Sequence, residues 1–538
     1  MAVLAPLEIN DRPADGDSRG RTGTTGGRRQ TGTLYLQAPG GQILAAYEPS
    51  AMNGYTEQVY FAGRLLFTVG GSLRLRPGCL ENPLPSQAGA TKRSVKPPTP
   101  VAGRRSAVTP TFSPLLRGFT WCFSLLLLAF LIRLHTVFGS GNEFRVLRGL
   151  ETQAVADSLA KTGAFSNPFR YETGPTAHLA PVYPLFLGGL ELLFPDEADY
   201  EAAKQVLSAL AASLHYALLP LLAVAARLPR RVGLIGALVA IAMFLLLPAN
   251  VRPLETQGSW EHAWAALGIV ALSILAESTF RQARFTTGRA VAWGVAWGIY
   301  LLLIPTMALV FPAWLILLRI SDCGLRISGG NVGNPLRFAA LSTACLLVTL
   351  APWTIRNWLV LGSPVWGRDN LGLELHVSNN DCAAATFGEM QRSGCHAKTH
   401  PNANPQEAAK IREAGEIRYN QQRLWEALAW VRSHPARFTG LTLERFALFW
   451  FPEVGRGAAS YPLWAVTLTG FAGLILCYKQ NRLAAMLFGA LLLVYPLAYY
   501  FVQHFLRYRY PVLWVSSLMT AYALTVAWQR FKAGPTTS

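Results

Sequence analysis

Charged residues are scarce in this 538-residue sequence: Asp, Glu, Lys and Arg make up 14% of it, against 51% for hydrophobic residues. A soluble domain of ordinary composition carries about 25% charged residues. The mean hydropathy is +0.26. The composition therefore excludes a large soluble enzyme and indicates a membrane protein.

Cysteine is also scarce, with seven residues in the chain. Three of them fall in apolar segments and are expected to be small buried hydrophobes: Cys122, Cys345 and Cys477. Cys382 and Cys395 lie in a polar loop with twelve residues between them, a spacing that fits a disulfide in an oxidising compartment. A zinc site of Cys395, His396 and His400 is the weaker interpretation, because no fourth ligand is evident.

Apolar runs of about 20 residues, the length that crosses a bilayer, recur from residue 118 to the C-terminus. The sequence predicts an all-α polytopic membrane protein with roughly ten transmembrane helices. The predicted spans are Gly118–Phe138, Ala202–Leu228, Val232–Pro248, Ser259–Ala276, Ala290–Ile304, Thr306–Leu318, Phe338–Trp353, Pro462–Tyr478, Leu483–Val502 and Val512–Trp528.

The net charge of +18 has a distribution that fits a membrane topology better than a nucleic-acid partner. Lys and Arg favour the cytoplasmic side, and with a cytoplasmic N-terminus the basic loops fall inside: Arg227–Arg231, Glu277–Arg289, Arg319–Arg337, Tyr478–Arg482 and the tail from Arg530. Counting the apolar stretch Leu179–Phe194 as a span would invert this topology. Because it is short and contains two prolines, we interpret it as re-entrant or interfacial, with a full crossing as the alternative.

This topology divides the chain into four regions. Residues 1–110 form an N-terminal extension, poorly ordered or with a few strands, and no secretory signal is seen at its start. Residues 111–356 form a transmembrane core with a first exterior loop at 139–201. Residues 357–461 form an exterior loop domain, and residues 462–538 form the last transmembrane helices.

The first exterior loop contains the main candidate carboxylate. Residues Leu147–Lys161 have the periodicity of an amphipathic helix that should stop at Gly163. Glu151 falls on the same face as Leu147 and Val155, where an ionised group is costly unless it has a partner or a task.

Other candidate groups fall on the same predicted side of the membrane. Glu255 is expected to be solvated at the interface, whereas Glu261 either acts on a substrate or pairs with a cation. The candidate phosphate binders are Arg356, Arg368 with Asn370 in a glycine-rich loop, and Arg507 and Arg509 near His504. Arg356 is alternatively an interfacial anchor, and ordinary headgroup contact is the alternative for Arg507 and Arg509. In the loop domain, Asn404 is predicted to cap one long helix that runs to His434 with a solvated charged face.

From Glu151 onward the chain resembles the bacterial membrane glycosyltransferases of the GT-C superfamily. The likeness is greatest to the RgtA/B/C/D-like branch of the dolichyl-phosphate-mannose protein mannosyltransferase group (PMT, family 39). The residues that carry it are Glu151 before VADSLAKTGAFSNPF, then GPTAHLAPVYPLFL, WTIRNWLVLG, GRDNLGLEL, His434-Pro435 and RYRYP. Separately, Tyr60, Gly63, Arg64 and Leu65 resemble a fragment of a YD (RHS-like) repeat.

The GT-C resemblance implies an inverting sugar transfer from a polyprenyl-phosphate donor to a glycan, lipid or protein acceptor outside the cytoplasmic membrane. It implies that Glu151 is the general base, with Glu143 and Glu172 as the spare acids. The implied substrate- and phosphate-binding residues are His178, Tyr183, Glu261, Arg356, Arg368, Asn370, Arg507 and Arg509. No metal ligand is assigned, and assistance by a divalent metal is left open. The alternatives are a transporter or flippase of lipid-linked saccharides and a non-catalytic scaffold.

Overall fold

The computed structural model describes residues 34–37, 43–49, 55–61, 64–71, 113–139, 150–248, 251–282, 285–324, 334–454 and 457–533. The chain divides into two units, residues 1–107 and 108–538.

The first unit contains a four-stranded antiparallel sheet with the strand order β1-β2-β3-β4. Its strands are β1 (Leu34–Gln37), β2 (Ile43–Pro49), β3 (Tyr55–Phe61) and β4 (Arg64–Gly71). They lie in the two alternating stretches of the extension, and Leu34 pairs with Tyr47 and Tyr55 with Gly71. The resemblance to a YD repeat stays a prediction.

The second unit is built of helices. The first eleven are α1 (Ser113–Gly139), α2 (Glu151–Thr162), α3 (Val182–Leu193), α4 (Glu197–Ala217), α5 (Leu219–Ala225), α6 (Arg230–Leu246), α7 (Pro253–Thr256), α8 (His262–Gln282), α9 (Thr287–Leu303), α10 (Val310–Gly324) and α11 (Pro335–Leu361). The loop domain contributes α12 (Leu371–Ser378), α13 (Phe387–Arg392), α14 (Cys395–Thr399), α15 (Pro405–Ala414), α16 (Glu416–Ser433) and α17 (Pro435–Trp450). The last three are α18 (Tyr461–Gln480), α19 (Arg482–Leu493) and α20 (Tyr510–Ala533).

The prediction of an all-α polytopic membrane protein is confirmed. Among the described residues, seven helical stretches are long and apolar enough to cross a membrane: Thr120–Gly139, Glu197–Ala225, His262–Arg281, Pro335–Leu361, Tyr461–Gln480, Arg482–Tyr500 and Leu506–Ala533. The other three predicted spans correspond to α6, α9 and α10, which are 17, 17 and 15 residues long.

Helix α3 covers most of the ambiguous apolar stretch. Its 12 residues extend about 18 Å at 1.5 Å per residue, well short of the roughly 30 Å hydrocarbon core. Leu185, Leu192 and Leu193 on this helix are exposed. The helix is therefore too short to cross the membrane alone, which favours the re-entrant or interfacial interpretation.

Close helix packing fixes the core of the bundle. Trp293, Trp297 and Trp314 are fully buried against one another, with the rings of Trp297 and Trp314 5.4 Å apart. Helix α9 packs closely against α11 at Gly294. A Cβ atom at this position, as any other residue would have, would lie 2.2 Å from the Ser342 carbonyl oxygen. Small residues allow membrane helices to approach in this way.

The prediction that Glu255 is solvated is wrong. Its carboxylate is buried and forms an ion pair with Arg133 of α1, which is fully buried and also donates to the Ala129 carbonyl. The Tyr216 hydroxyl donates to Glu255 at 3.3 Å. A cation contributed by the first span therefore neutralises this carboxylate.

The single long helix predicted after Asn404 is two helices. Asn404 does cap α15, since its side chain accepts from the backbone N–H groups of Gln406 and Glu407. The chain then breaks at Gly415, whose φ of 82° suits glycine. The charged face is solvated in part: Lys410, Arg412, Glu413, Arg418 and Arg432 are exposed, whereas Glu407, Glu416 and Arg423 are buried.

Candidate functional site

Helix α2 places Glu151 at its first position. The helix ends as predicted at Gly163, which adopts a left-handed conformation with φ 71°. Leu147, the predicted start, lies outside the described residues; Leu150 is extended and α2 is described from Glu151. The first turn of a helix favours a carboxylate, since the unpaired backbone N–H groups there carry partial positive charge.

Two imidazoles flank the Glu151 carboxylate. Nε2 of His178 lies 3.5 Å from Oε2, and Nε2 of His400 lies 3.5 Å from Oε1. Burial alone would raise the pKa of Glu151, but His178, then His400 and Arg507, hold it down at about 2. The carboxylate is therefore ionised at all physiological pH values.

The two imidazoles differ in how readily they are protonated. His400 Nδ1 accepts the backbone N–H of Asn402 at 3.1 Å, so its proton lies on Nε2, the nitrogen nearest Glu151. Burial lowers the pKa of His400 to about 3, which makes it a neutral donor. For His178, burial works against protonation, but the charge of Glu151 raises the pKa. The charge of Glu151 therefore favours the protonated form of His178.

Ring contacts with neighbouring side chains hold these imidazoles in place. The Phe169 ring meets His178 edge-on at 4.9 Å and His400 at 5.9 Å between ring centroids. His396 stacks on His400 at 4.6 Å. Side chains from the segment between α2 and α3 and from the loop domain thus surround one carboxylate.

The GRDNLGLEL stretch supplies two further carboxyls that the sequence analysis missed. Burial raises the pKa of Asp369 to about 6. Burial and then the charge of Glu151 raise the pKa of Glu374. The sequence analysis considered this stretch for its arginine and glycines, although its two acidic residues were the available signal. The environments push the pKa values of Glu151 and Glu374 apart, a pattern typical of sites that assign carboxyls different roles.

Glu261 and Arg368, two separate candidates from sequence, form an ion pair across 107 positions of the chain. The Trp353 indole fixes the adjacent backbone by donating to the Gly367 carbonyl at 3.0 Å. Nε of Arg368 and Oε2 of Glu261 are buried without a hydrogen-bond partner among the described residues. Both groups therefore keep hydrogen-bonding capacity for a ligand.

Arg507 lies over the Trp260 ring at 3.7 Å and over the Phe505 ring at 4.4 Å. Stacking on aromatic faces orients a guanidinium without neutralising it. Its charge reaches Glu151, because it contributes to the low pKa of that carboxyl. Arg507 thus belongs to the site as a cation that forms no ion pair with any described carboxylate.

Other predicted site residues are engaged elsewhere. Arg356 donates to the carbonyls of Thr176 and Phe165 and fastens the first exterior loop. Arg509 is buried and donates to the Trp450 carbonyl and to Thr467. The Tyr183 hydroxyl donates to the Gly258 carbonyl. Asn370 occupies the N-cap position of α12 without a side-chain cap bond.

Neither spare acid belongs to this cluster as described. Glu143 lies outside the described residues. Glu172 is exposed in the loop that follows Phe169. Glu151 is the acid around which the described cations and imidazoles converge.

The site does not fit a zinc centre as arranged. Cys395 is bonded to Cys382, with their Cα atoms 5.6 Å apart, so it offers no thiolate. Nε2 of His400 carries a proton where a ligand would need a lone pair. No group of three or more His, Cys, Asp or Glu side chains in the described part of the chain is arranged to hold a metal. We therefore derive no step through a metal.

The disulfide positions His400. Cys395 is the first residue of α14, and His400 directly follows that helix. We expect replacement of both cysteines by alanine to lower the melting temperature, because loop closure on this scale contributes about 3 kcal/mol to stability. An unchanged melting temperature in the double variant would show that packing alone holds α14 and His400.

The buried carboxyl of Glu416 is expected to make the free energy of unfolding depend on pH. Its carboxyl accepts from the Ala177 backbone N–H at 2.7 Å and from the Thr176 hydroxyl. Burial raises the pKa of Glu416 from 4.5 to about 7. Between these values the native state keeps a proton that the unfolded state loses, so stability falls as pH rises from about 4.5 to 7.

The loss of stability is at most about 1.4 kcal/mol per pH unit. Melting curves of wild type and Glu416→Gln should therefore differ most in slope between pH 5 and 7, with the variant flatter. Parallel curves would mean that Glu416 is ionised in the folded protein.

Comparison with known proteins gives structural likeness only. No family model matches the chain, and no curated protein does. Solved structures of the oligosaccharyltransferase of Archaeoglobus fulgidus are similar to it. The form tethered to an acceptor peptide with the NVT sequon has a TM-score of 0.47 at 13% identity over 77% of this chain. The form with an inhibitory peptide and a dolichol-phosphate has a TM-score of 0.46 at 14% identity over 77% of this chain. The form with Zn and sulfate has a TM-score of 0.48 at 14% identity over 76% of this chain. This chain covers 50%, 51% and 50% of those proteins.

Proposed function

We propose that this chain is a membrane glycosyltransferase that moves a sugar from a polyprenyl-phosphate donor to an acceptor hydroxyl. The observation that carries the proposal is the placement of one ionised carboxylate, Glu151, between two imidazoles and within reach of the charge of Arg507. The order of motifs that resembles GT-C glycosyltransferases supports the same function. The enzyme would work on the outer side of the cytoplasmic membrane.

In this proposal Glu151 accepts the proton of the acceptor hydroxyl. The hydroxyl oxygen forms a bond to the anomeric carbon while the bond from that carbon to the phosphate oxygen breaks, and the electron pair leaves with the polyprenyl phosphate. A carboxylate with a pKa of about 2 is a weak base, so the proton moves late, when the attacking oxygen is already bonded to carbon. One displacement inverts the anomeric configuration.

The leaving phosphate needs positive charge, which Arg507 and Arg368 are placed to supply. Arg507 is stacked on Trp260 without a carboxylate partner of its own in the described contacts, and Nε of Arg368 has no partner among the described residues. Preorganised cations stabilise charge that develops in the transition state. Protonated His178 adds a third positive charge beside Glu151.

The exposed apolar residues of α3 suit the lipid part of the donor. Helix α3 packs beside α2, and Gly188 of α3 lies against Leu159 and the Ala156 carbonyl of α2. Leu185, Leu192 and Leu193 project outward. A prenyl chain on this helix would bring its phosphate toward the end of the bundle that holds Glu151.

A flippase for lipid-linked saccharides is the second candidate function. Several charges of the spans are paired with one another, as in Lys204 with Glu201 and Arg281 with Glu277. Paired charges suit structural roles better than an ion or substrate pathway. This pairing favours the enzyme.

The test is sugar transfer in membranes that contain the overproduced chain, using a panel of radiolabelled polyprenyl-phosphate sugars. The proposal predicts that label from at least one donor leaves the lipid fraction and enters an acceptor. Donor that crosses the bilayer with its sugar still attached would instead establish a flippase.

A further inference from the structure

A groove of about 520 Å³, lined by both polar and aromatic residues, lies beside the site. One side is the outward face of α2 at Ala154, Asp157, Ser158 and Lys161, and the other is the loop at residues 167–172. We propose that this groove binds the acceptor and that the acceptor is a neutral oligosaccharide. The inference rests on the proposed function and adds the chemical class of the acceptor.

The groove adjoins Glu151 in two ways. Ala154 follows Glu151 by three residues in α2, which is about 4.5 Å along the helix axis. Phe169 lines the groove, and the same ring contacts His178 and His400, the two imidazoles of the site. A ligand in the groove would therefore lie one helical turn from Glu151 along α2, with the Phe169 side chain between the ligand and the two imidazoles.

The lining indicates a carbohydrate. Asp157 and Glu172 are balanced by Lys161 and Arg170, so the groove offers hydrogen-bonding groups of both signs without net charge. A polyhydroxy ligand uses such groups, whereas a phosphorylated ligand would favour an excess of cations. The Tyr171 ring is 38% exposed at the groove and presents a flat apolar face to a sugar ring.

The loop that carries these groups is held in one conformation. Asn167 has a φ of 54°, a left-handed conformation that asparagine tolerates. Its side-chain oxygen accepts the backbone N–H groups of Thr173 at 3.0 Å and Gly174 at 2.8 Å. Asn402 accepts the backbone N–H of Arg170 at 3.0 Å, which joins the loop to the segment of His400. The groove is therefore preorganised, which reduces the entropy cost of binding.

A second groove lies against the same loop. It has a volume of about 700 Å³, and Asn167 and Glu172 line both grooves. Its far side is formed by α15 and α16 at Arg412 and Arg418. Together the two grooves have room for more than one sugar unit.

The experiment uses the full chain in lipid nanodiscs free of glycoside detergent, with a donor that the wild type accepts. The acceptors are labelled neutral oligosaccharides of two to six sugars. Two rates are measured: polyprenyl phosphate released without acceptor, which reports reaction with water, and label transferred to the oligosaccharide. We expect Tyr171→Ala, and separately Asp157→Asn with Glu172→Gln, to raise the acceptor KM about tenfold while donor breakdown stays within twofold.

Trp425→Ala is the matched control, because Trp425 is an exposed aromatic of the loop domain outside both grooves. It should leave the acceptor KM unchanged. Donor breakdown with no transfer to any oligosaccharide, or transfer only to peptides, would overturn the groove assignment and leave the proposed function intact. Failure of the wild type to break down any polyprenyl-phosphate sugar of the donor panel would overturn the proposed function.

Saturation-transfer NMR with the same oligosaccharides and no donor tests the groove independently of catalysis. The wild type and Trp425→Ala should give a signal that Tyr171→Ala loses. An equal signal in all three proteins would place carbohydrate binding elsewhere.

Discussion

Replacing Glu151 with glutamine is expected to reduce sugar transfer by a factor of roughly 10² to 10⁴, the usual contribution of a positioned general base. The amide keeps the size of the side chain but accepts no proton. The effect should appear in kcat with little change in the donor KM, because the leaving-group cations Arg368 and Arg507 remain. Turnover of purified protein with a labelled donor measures both constants.

The Glu151→Gln experiment needs a carboxylate control. Glu413 is exposed on α15, and Glu413→Gln should retain full activity. Both variants should keep the wild-type melting temperature within a few degrees. Full turnover in Glu151→Gln would remove this residue from proton transfer and direct attention to Glu374 and Asp369, the other carboxyls of the site.

Replacing Arg133 with leucine is expected to destabilise the fold by about 3–5 kcal/mol, the cost of leaving one member of a buried ion pair without its partner. The side chains of Arg133 and Glu255 are 0% and 4% exposed, so water cannot replace the lost interaction. Arg133 also lies over the Phe244 ring at 4.5 Å and the Tyr216 ring at 5.1 Å. The melting temperature in detergent and the yield of folded protein measure the loss.

A double variant distinguishes the cost of leaving the Glu255 charge unpaired from the cost of losing the packing of Arg133. Arg133→Leu combined with Glu255→Gln removes both charges, and we expect it to recover most of the stability lost in the single variant. Arg432, exposed on α16, provides the matched control in Arg432→Leu, which should change the melting temperature little. A single variant as stable as wild type would contradict the structural role of this pair.

The membrane spans were predictable because an apolar run long enough to cross a bilayer can be recognised from local sequence alone. Helix α11 is described at 335–361, which contains the predicted span at 338–353. The end of α2 at Gly163 was also readable, since the cap depends on a single local residue. Local chemistry decides these features, and the sequence contains all of it.

Long-range pairings were not predictable. Arg133 and Glu255 are 122 positions apart, and Glu416 reaches Thr176 across 240. Glu255 was expected in solvent because it lies at the predicted membrane interface, and its actual partner is remote in sequence. Periodicity likewise continued past Gly415, although a backbone conformation suited to glycine ends α15 there.

In the candidate site, too, individual residues were predictable from sequence, whereas the contacts between distant segments were not. Glu151, His178, Arg368 and Arg507 were named from sequence, and the structure brings them to one end of the bundle. His400 was considered only for zinc, and its position beside Glu151 depends on contacts between the first exterior loop and the loop domain. Asp369 and Glu374 were missed because their raised pKa values arise from burial, which the sequence does not display.

The central claim is a one-step displacement of polyprenyl phosphate assisted by Glu151. A single-turnover reaction of the purified chain with a donor of known anomeric configuration tests it most directly, with released polyprenyl phosphate and the product configuration read by NMR. We predict one polyprenyl phosphate per sugar transferred and an inverted configuration. Retained configuration, or donors that all stay intact, would contradict the claim.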